Sequence, residues 1–368
     1  MSFEKEDAIH VSKVYEDYFS NFSRIDEYMK DQKLASLSDI PTNALFPPED
    51  DLFSDFNMHP NDMDLDVVEI PGSQWETLLS ITSSHINIAP VGKNIKLAVL
   101  EKNTGKYVGF IRLGSPLINC KPRNEMLGQV FTQTIENAKI FNKTTLMGFV
   151  IVPSQPFGYN YLGGKLLAAI CCSHAVREIC NKKYDMNLCL FETTSLYGSS
   201  KSVSQYDGMK PYIRFKGLTD SDFLPMMNGK PFEDLKNFME EKIGKIVDDN
   251  ASSRKLKISQ RIIALTKQAL KGSVEGEHFN KIIENAKSLT EQKRYYISDY
   301  GFENYIDVVN GKTDNLIKGQ NYDKFELENI IEWWKRKATN RYETLKSEGR
   351  LRTELEVWTS GKDIDIIR

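Results

Sequence analysis

The stretch from Thr145 to Tyr197, TTLMGFVIVPSQPFGYNYLGGKLLAAICCSHAVREICNKKYDMNLCLFETTSLY, constrains the fold more than any other part of the chain. Leu146 to Val152 is a short apolar run rich in Val, Ile and Phe, the pattern of a buried strand, and it stops at Pro153, which lacks an N–H to continue a ladder. A loop carrying Gly158, Asn160, Gly163 and Gly164 follows. From about Tyr161 to Asn181 the apolar period changes from two to three and four. Leu162, Leu166, Leu167, Ile170, Val176 and Ile179 then share one face of an expected buried helix. After the Lys182-Lys183 turn, Asn187 to Phe191 is a second apolar run. The unit is strand, glycine-bearing loop, helix, strand, which sets loop N–H groups at a helix N-terminus beside a strand end, where they can hold an anion.

A chain of 368 residues with 40% hydrophobic content supports a large core, read here as one α/β domain with helical additions. The net charge of −3 is unevenly spread: residues 1–66 hold 5 Lys/Arg against 16 Asp/Glu, a local −11, which leaves +8 on the remainder. A mildly basic body is compatible with an anionic partner. The five cysteines are odd in number and sit mostly in apolar runs, as expected of reduced thiols rather than a disulfide frame. Adjacent Cys171 and Cys172, with no CxxC pair, argue against zinc, so no metal is expected and His174 is read as a core histidine. Ser199-Ser200 lacks the G-x-S-x-G context of a nucleophile elbow. Met1 to Lys33 is charged throughout and no run has membrane-spanning length. The expected location is the cytoplasm, that of the host if the chain is phage-encoded.

In chain order, Lys5 to Leu34 reads as a charged helix with an apolar stripe of Ile9, Val14, Phe19, Phe22, Ile25 and Met29, suited to docking on the body or on a protein partner. Residues 1–37 are assigned to this N-terminal helix and 38–65 to an acidic, Pro-containing linker. The α/β core is placed at 66–225. It opens with a strand at Asp66 to Ile70 and a helix at Ser73 to Ser83, with Ser73 and Glu76 at capping-box spacing. Ile95 to Glu101 and Lys106 to Leu113 form a hairpin about Lys102-Asn103-Thr104-Gly105, and Arg123 to Phe141 is an inserted helix. Residues 226–368 read as a mainly helical region, with helices at Phe232 to Val247, Arg254 to Lys271, Glu275 to Thr290 and Lys324 to Lys346. In the last of these, Leu327, Ile330, Ile331, Trp334 and Ala338 share a face.

The order strand, helix, hairpin, inserted helix, strand, loop, helix, strand is similar to the GNAT acyltransferase fold, a mixed sheet with flanking helices. Gln155-Pro156-Phe157-Gly158-Tyr159-Asn160 resembles the Gln/Arg-x-x-Gly-x-Gly/Ala loop of that family, with Asn160 departing at the last position. The succession VGFIRLGSP, FVIVPSQPFGYNYLGGKLL, YDMNLCLFETTSLYGSS and QYDGMKPYIRFKGLT, from about Tyr107 to Thr219, resembles the family of the A component of the Druantia anti-phage system. A more remote likeness is to the Mom DNA-modification protein of phage Mu, which is GNAT-like.

The GNAT resemblance implies acetyl-CoA or a related acyl-CoA as donor, held at Gln155, Phe157, Gly158, Tyr159, Asn160, Tyr161, Gly163 and Gly164. Gly163 and Gly164 serve equally for close helix-to-strand packing. Glu192 at a strand end reads as a general base if burial raises its pKa, or else as a strand-end residue paired with Lys165 or Arg177. Thr193, Thr194 and Ser195 add hydroxyls beside it. Tyr206 stands where many GNAT members place a tyrosine acid, with Tyr212 the competitor and plain burial the other reading. Between Lys335 and Arg352 there are seven Lys/Arg and two Glu, so Lys335, Arg336, Lys337 and Arg341, with Trp333 and Tyr342, could contact DNA or RNA or form a solvated helix face. Two functions follow. One is a GNAT-like N-acyltransferase acting on nucleic acid or another amine, favoured by the polar Glu192 to Ser195 strand end. The other is a non-catalytic GNAT-fold protein that binds nucleic acid or a protein partner, favoured by Asn160.

Overall fold

Lys102-Asn103-Thr104-Gly105 reverses the chain, with Gly105 at φ +69°, and pairs β2 (Asn94–Glu101) antiparallel with β3 (Lys106–Gly114). Glu101 is fully buried at this turn. Its carboxylate accepts the N–H groups of Asp64 and Thr104 and the Thr104 hydroxyl at 2.7–3.0 Å, which satisfies a charge that burial would otherwise penalise. The hairpin is the seed of a seven-stranded sheet in the computed structural model, which describes residues 3–20, 33, 37, 47–84, 92–130, 134–198, 204–219, 227, 229–248, 254–289 and 293–358.

The remaining strands are β1 (Leu65–Val68), β4 (Thr145–Pro153), β5 (Leu190–Gly198), β6 (Arg214–Leu218) and β7 (Lys293–Ser298). Their order is β1-β2-β3-β4-β5-β7-β6. Neighbours are antiparallel except β4 and β5, which run parallel, as a strand–helix–strand crossover demands. The fold is mixed α/β with flanking helices and a mainly helical C-terminal region. That region also contributes β7, which the sequence reading did not assign as a strand.

Alternation along β2 to β4 builds two cores. Helix α2 (Gly72–Thr82) lays Trp75, Leu78, Leu79 and Ile81 against Ala98, Phe110 and Val150, and the Trp75 Nε1–H donates to the Leu97 carbonyl at 2.9 Å. Its N-cap is Pro71 without a side-chain bond, not the expected Ser73. The other core takes Leu97, Val99, Ile111 and Leu146 and is closed by helices from the organising stretch. That stretch is three helices rather than one: α5 (Phe157–Tyr161), α6 (Gly163–Ile170) and α7 (His174–Tyr184). Leu162 in the left-handed region (φ +55°) separates the first two, and the Ser173 hydroxyl, accepting from the Val176 N–H, starts the third. Leu166, Leu167 and Ile170 are fully buried, each worth about 1.5–3 kcal/mol over exposure. The inserted helix is likewise two, α3 (Lys121–Leu127) and α4 (Ile135–Thr144), and α3 ends at left-handed Gly128. Helices α11 (Tyr305–Val309) and α12 (Leu327–Ser347) complete this unit, with Ile330, Trp334 and Ala338 buried as the stripe required.

Residues 47–65 do not form a linker. Two short 3-10 turns, Pro48–Asp51 and Pro60–Asp62, hold Leu52, Phe53, Phe56 and Met63 in the core, and Phe53 meets Phe157 edge-on at 5.7 Å. The acidic residues had masked an apolar set spaced through them; residues 38–46 of the expected linker lie outside the described residues. A separate compact unit combines residues 1–28 with 220–292, while 29–219 and 293–368 form the sheet unit. The first unit packs α1 (Lys5–Ser20) with α8 (Gly229–Ile243), α9 (Arg254–Ala269) and α10 (Val274–Leu289). The buried stripe of α1 is Ala8, Val11, Tyr15, Tyr18 and Phe19, leaving Ile9 39% exposed, because tyrosines and an alanine complete the helical period there. Phe22, Ile25 and Met29 lie outside the described residues. Among the described residues no helix is long and apolar enough to cross a membrane.

Candidate functional site at the parting of β4 and β5

The parallel ladder joins Thr145–Gly148 to Leu190–Thr193 and no further; among the described residues no ladder links Phe149–Pro153 with the rest of β5. The loop after β4 and the second half of β5 therefore flank a gap in the sheet. Side chains reach it on opposite faces by the period-two rule. Glu192 lies opposite Ile297 of β7, so Tyr295, two residues away, shares its face. The Tyr295 hydroxyl donates to Glu192 Oε2 at 2.8 Å and Arg123 Nη1 donates to both carboxylate oxygens at 3.0 and 3.3 Å. Arg123 is 0% and Glu192 1% exposed. Arg123 also donates to the Ile118 carbonyl and lies 4.7 Å over Phe141. Burial pushes the Glu192 carboxyl up, while Arg123 and the Tyr295 hydroxyl pull it back. Its partner is thus Arg123, not Lys165 or Arg177. The Lys165 ammonium donates to the Gln205 and Asp207 carbonyls and Arg177 to the Leu188 carbonyl.

Thr193 turns the other way, where its hydroxyl donates to the Gly148 carbonyl. Tyr206 is 5% exposed on that same face, bonded to Thr193 and Gln205 and 5.3 Å from Tyr296, and burial raises its phenol well above the ordinary range. Glu192 and Tyr206 are therefore not brought together. Tyr212 is buried between Trp333 (4.9 Å) and Phe325 (5.4 Å).

The loop residues are held by the protein itself. The N–H groups of Gly158 and Asn160 donate to the Ser154 and Pro156 carbonyls, and that of Tyr159 to Gln155 Oε1. Phe157 and Tyr161 are fully buried, and the Tyr161 hydroxyl donates to the Phe56 carbonyl. A Cβ on Gly163 would stand 2.7 Å from Phe157 Cδ1, and one on Gly164 2.6 Å from Gln205 Oε1, so both glycines permit close packing. Asn160, fully buried, is bound at both ends of its amide: Nδ2 donates to the Arg352 carbonyl at 2.7 Å, and the Arg352 N–H donates to Oδ1 at 3.2 Å. The segment after α12 continues over the end of β4, where the Glu356 N–H donates to the Gln155 carbonyl, and reaches α2, where the Trp358 N–H donates to the Ile81 carbonyl. Leu351 packs on the core under α6 and Val357 on that under α2, so these residues pass from one face of the sheet to the other.

Around this loop cations meet rings. The Tyr159 ring carries two guanidinium groups, Arg341 at 4.8 Å and Arg352 at 4.2 Å from its centre, and Arg350 donates to its hydroxyl at 3.3 Å. Lys337 lies 5.5 Å over Trp333, and Arg336 and Lys337 are exposed. Lys335 is half-buried and donates to the Asn61 carbonyl. Arg123, Tyr295, Arg350 and Arg352 were missed as site residues; Arg123 and Tyr295 lie far from Glu192 in sequence, and their pairing needs β7 in place.

Residues 49–207 match the family described as Druantia protein DruA. The Druantia protein DruA of Escherichia coli (strain UMEA 4076-1) is 22% identical over 222 residues, covering 54% of this chain and 54% of that protein. The chain resembles the DruA family. It spans about half the length of the curated relative. No solved structure matches. The DruA-like segment contains β1 to β5, the loop, Arg123, Glu192 and Tyr206, and ends before β6, β7 and the basic helix α12. Tyr159 belongs to the DruA-like part, whereas the guanidinium groups on its ring come from outside it.

Proposed function

We propose that this protein binds nucleic acid through the basic side of its GNAT-like sheet unit, acting in the cytoplasm in phage–host conflict as its DruA resemblance implies. The observation that carries this reading is the Tyr159 ring with the Arg341 and Arg352 guanidinium groups against it and Arg350 on its hydroxyl, beside the exposed Arg336 and Lys337. Cations spaced along one surface neutralise phosphates and release counterions, giving affinity that falls steeply with salt. The test is fluorescence anisotropy with labelled DNA and RNA over a salt series. Arg336→Glu with Lys337→Glu, both exposed, should weaken binding at least about tenfold and flatten the salt slope by about two contacts. Wild-type protein that binds neither polymer at low salt rejects the reading.

One observation favours the transferase alternative, namely that β4 and β5 stop pairing after four residues and leave a gap where a donor could lie. Calorimetric titration with acetyl-CoA tests it, with Gly158→Trp as the blocked control. Binding abolished by that substitution would support a donor site; absence of binding removes the donor, and with it Glu192 as a general base.

A further inference from the structure

Phe215 is 44% exposed on β6, an edge strand whose burial alternates poorly, and the Arg294 guanidinium lies 4.5 Å over its ring. A large ring left on an exposed edge is a feature a solvated surface does not require. From it a chain of contacts runs across one side of the sheet unit. Arg294 pairs with Asp207 at 3.3 Å, and the Lys165 ammonium donates to the Asp207 carbonyl at 2.7 Å. Lys165 lies on α6, which packs against α12, and on α12 Lys337 covers Trp333. Arg341, one helical turn on, reaches Tyr159 and hence Arg352 and Arg350. Asp207, Glu348 and Glu356 each hold one of these guanidinium groups in place, and the side chains of Gln205, Arg336, Lys337 and Arg350 remain exposed along the line. Rings and cations thus alternate: Phe215 with Arg294, Trp333 with Lys337, Tyr159 with its arginines.

Resting on the nucleic-acid reading above, we infer that the polymer is single-stranded and lies along this line, a base stacking on Phe215 and phosphates following Arg294, Lys337 and Arg350. A duplex hides the faces of its bases, so an exposed ring gains nothing from it, whereas every unpaired base has a face to stack.

The experiment compares full-length protein binding oligothymidine, oligouridine and a DNA duplex of the same length, for wild type, Phe215→Ala and Arg336→Glu/Lys337→Glu. The single strands should bind at least about tenfold more tightly than duplex, and Phe215→Ala should lose about tenfold on single strands and nothing on duplex. Oligodeoxyuridine set beside oligouridine, which carries the same base, identifies the sugar. Phe215 is exposed and its removal leaves the fold, which an unchanged melting temperature verifies. Equal binding of duplex and single strand, or single-strand affinity indifferent to Phe215→Ala, overturns this inference and leaves nucleic-acid binding standing; no binding of any polymer overturns both.

Discussion

Arg123 and Glu192 form a fully enclosed ion pair, and such a pair is costly to break from one side. Arg123→Met should destabilise the protein by about 3–5 kcal/mol, because the Glu192 carboxylate then stays buried with the Tyr295 hydroxyl and the Leu117 backbone. Arg123→Met with Glu192→Leu should recover most of that loss in urea unfolding. A single substitution costing under about 1 kcal/mol would show that the carboxyl neutralises instead. His174 supplies the pH dependence. Its Nε2 bonds the Tyr322 carbonyl at 3.0 Å, which makes it the protonated nitrogen, and buried Nδ1 has no hydrogen-bond partner among the described residues. Burial holds the imidazole below its ordinary 6.5. The unfolded chain therefore takes up a proton that the folded chain refuses as pH falls below that value. Stability is whole above it and declines on acidification. The urea midpoint should drop between about pH 7.5 and 5.5, and His174→Phe should reduce that drop. Glu192 was read as the end of a strand, but it is the third residue of β5 and paired on both sides, and its neighbours were read as one cluster. Alternation sends Thr193 and Glu192 to opposite faces, and it is this that separates Tyr206 from the carboxylate.

The elements follow what the apolar periods allowed. The hairpin, β4 and the stripe of α12 were readable because burial alone dictates their pattern. The breaks inside the long helical pattern were not: at the first it is Leu162 rather than the following Gly163 or Gly164 that turns left-handed, and Ser173 makes the second with no glycine or proline beside it. β7, KRYYIS, was hidden because its basic start and tyrosines look like surface, although Tyr295, Tyr296 and Ile297 are buried between two strands. The segment after α12 gave no signal, because backbone groups hold it. Asn160→Ala removes both bonds to Arg352, so exchange of the Arg352 amide should quicken by about tenfold or more, with limited proteolysis opening first within residues 351–358. Unchanged exchange there would mean that Val357 and Trp358 anchor the segment alone.

At the scale of the whole molecule, the domain boundaries expected from composition followed chain order, and the compact units do not. The acidic first helix belongs with residues 220–292, and the sheet is built from both sides of them. No local pattern announces such nesting, since each piece looks ordinary and only the pairing of distant pieces defines the unit. The place of β7 sets a timetable for synthesis. β6 ends at Leu218 and, among the described residues, its ladder partner is β7, which begins at Lys293. While the ribosome makes the intervening residues, β6 has emerged without its partner and Glu192 without Tyr295. The helices of the other unit are complete before the sheet can be, and the stretch from Leu351 to Trp358, which ties the two faces together, follows all of these elements. A chain cut short after α10 would contain every described helix of one unit and an unfinished sheet, with β5 and the Phe215 strand both open for pairing with another chain.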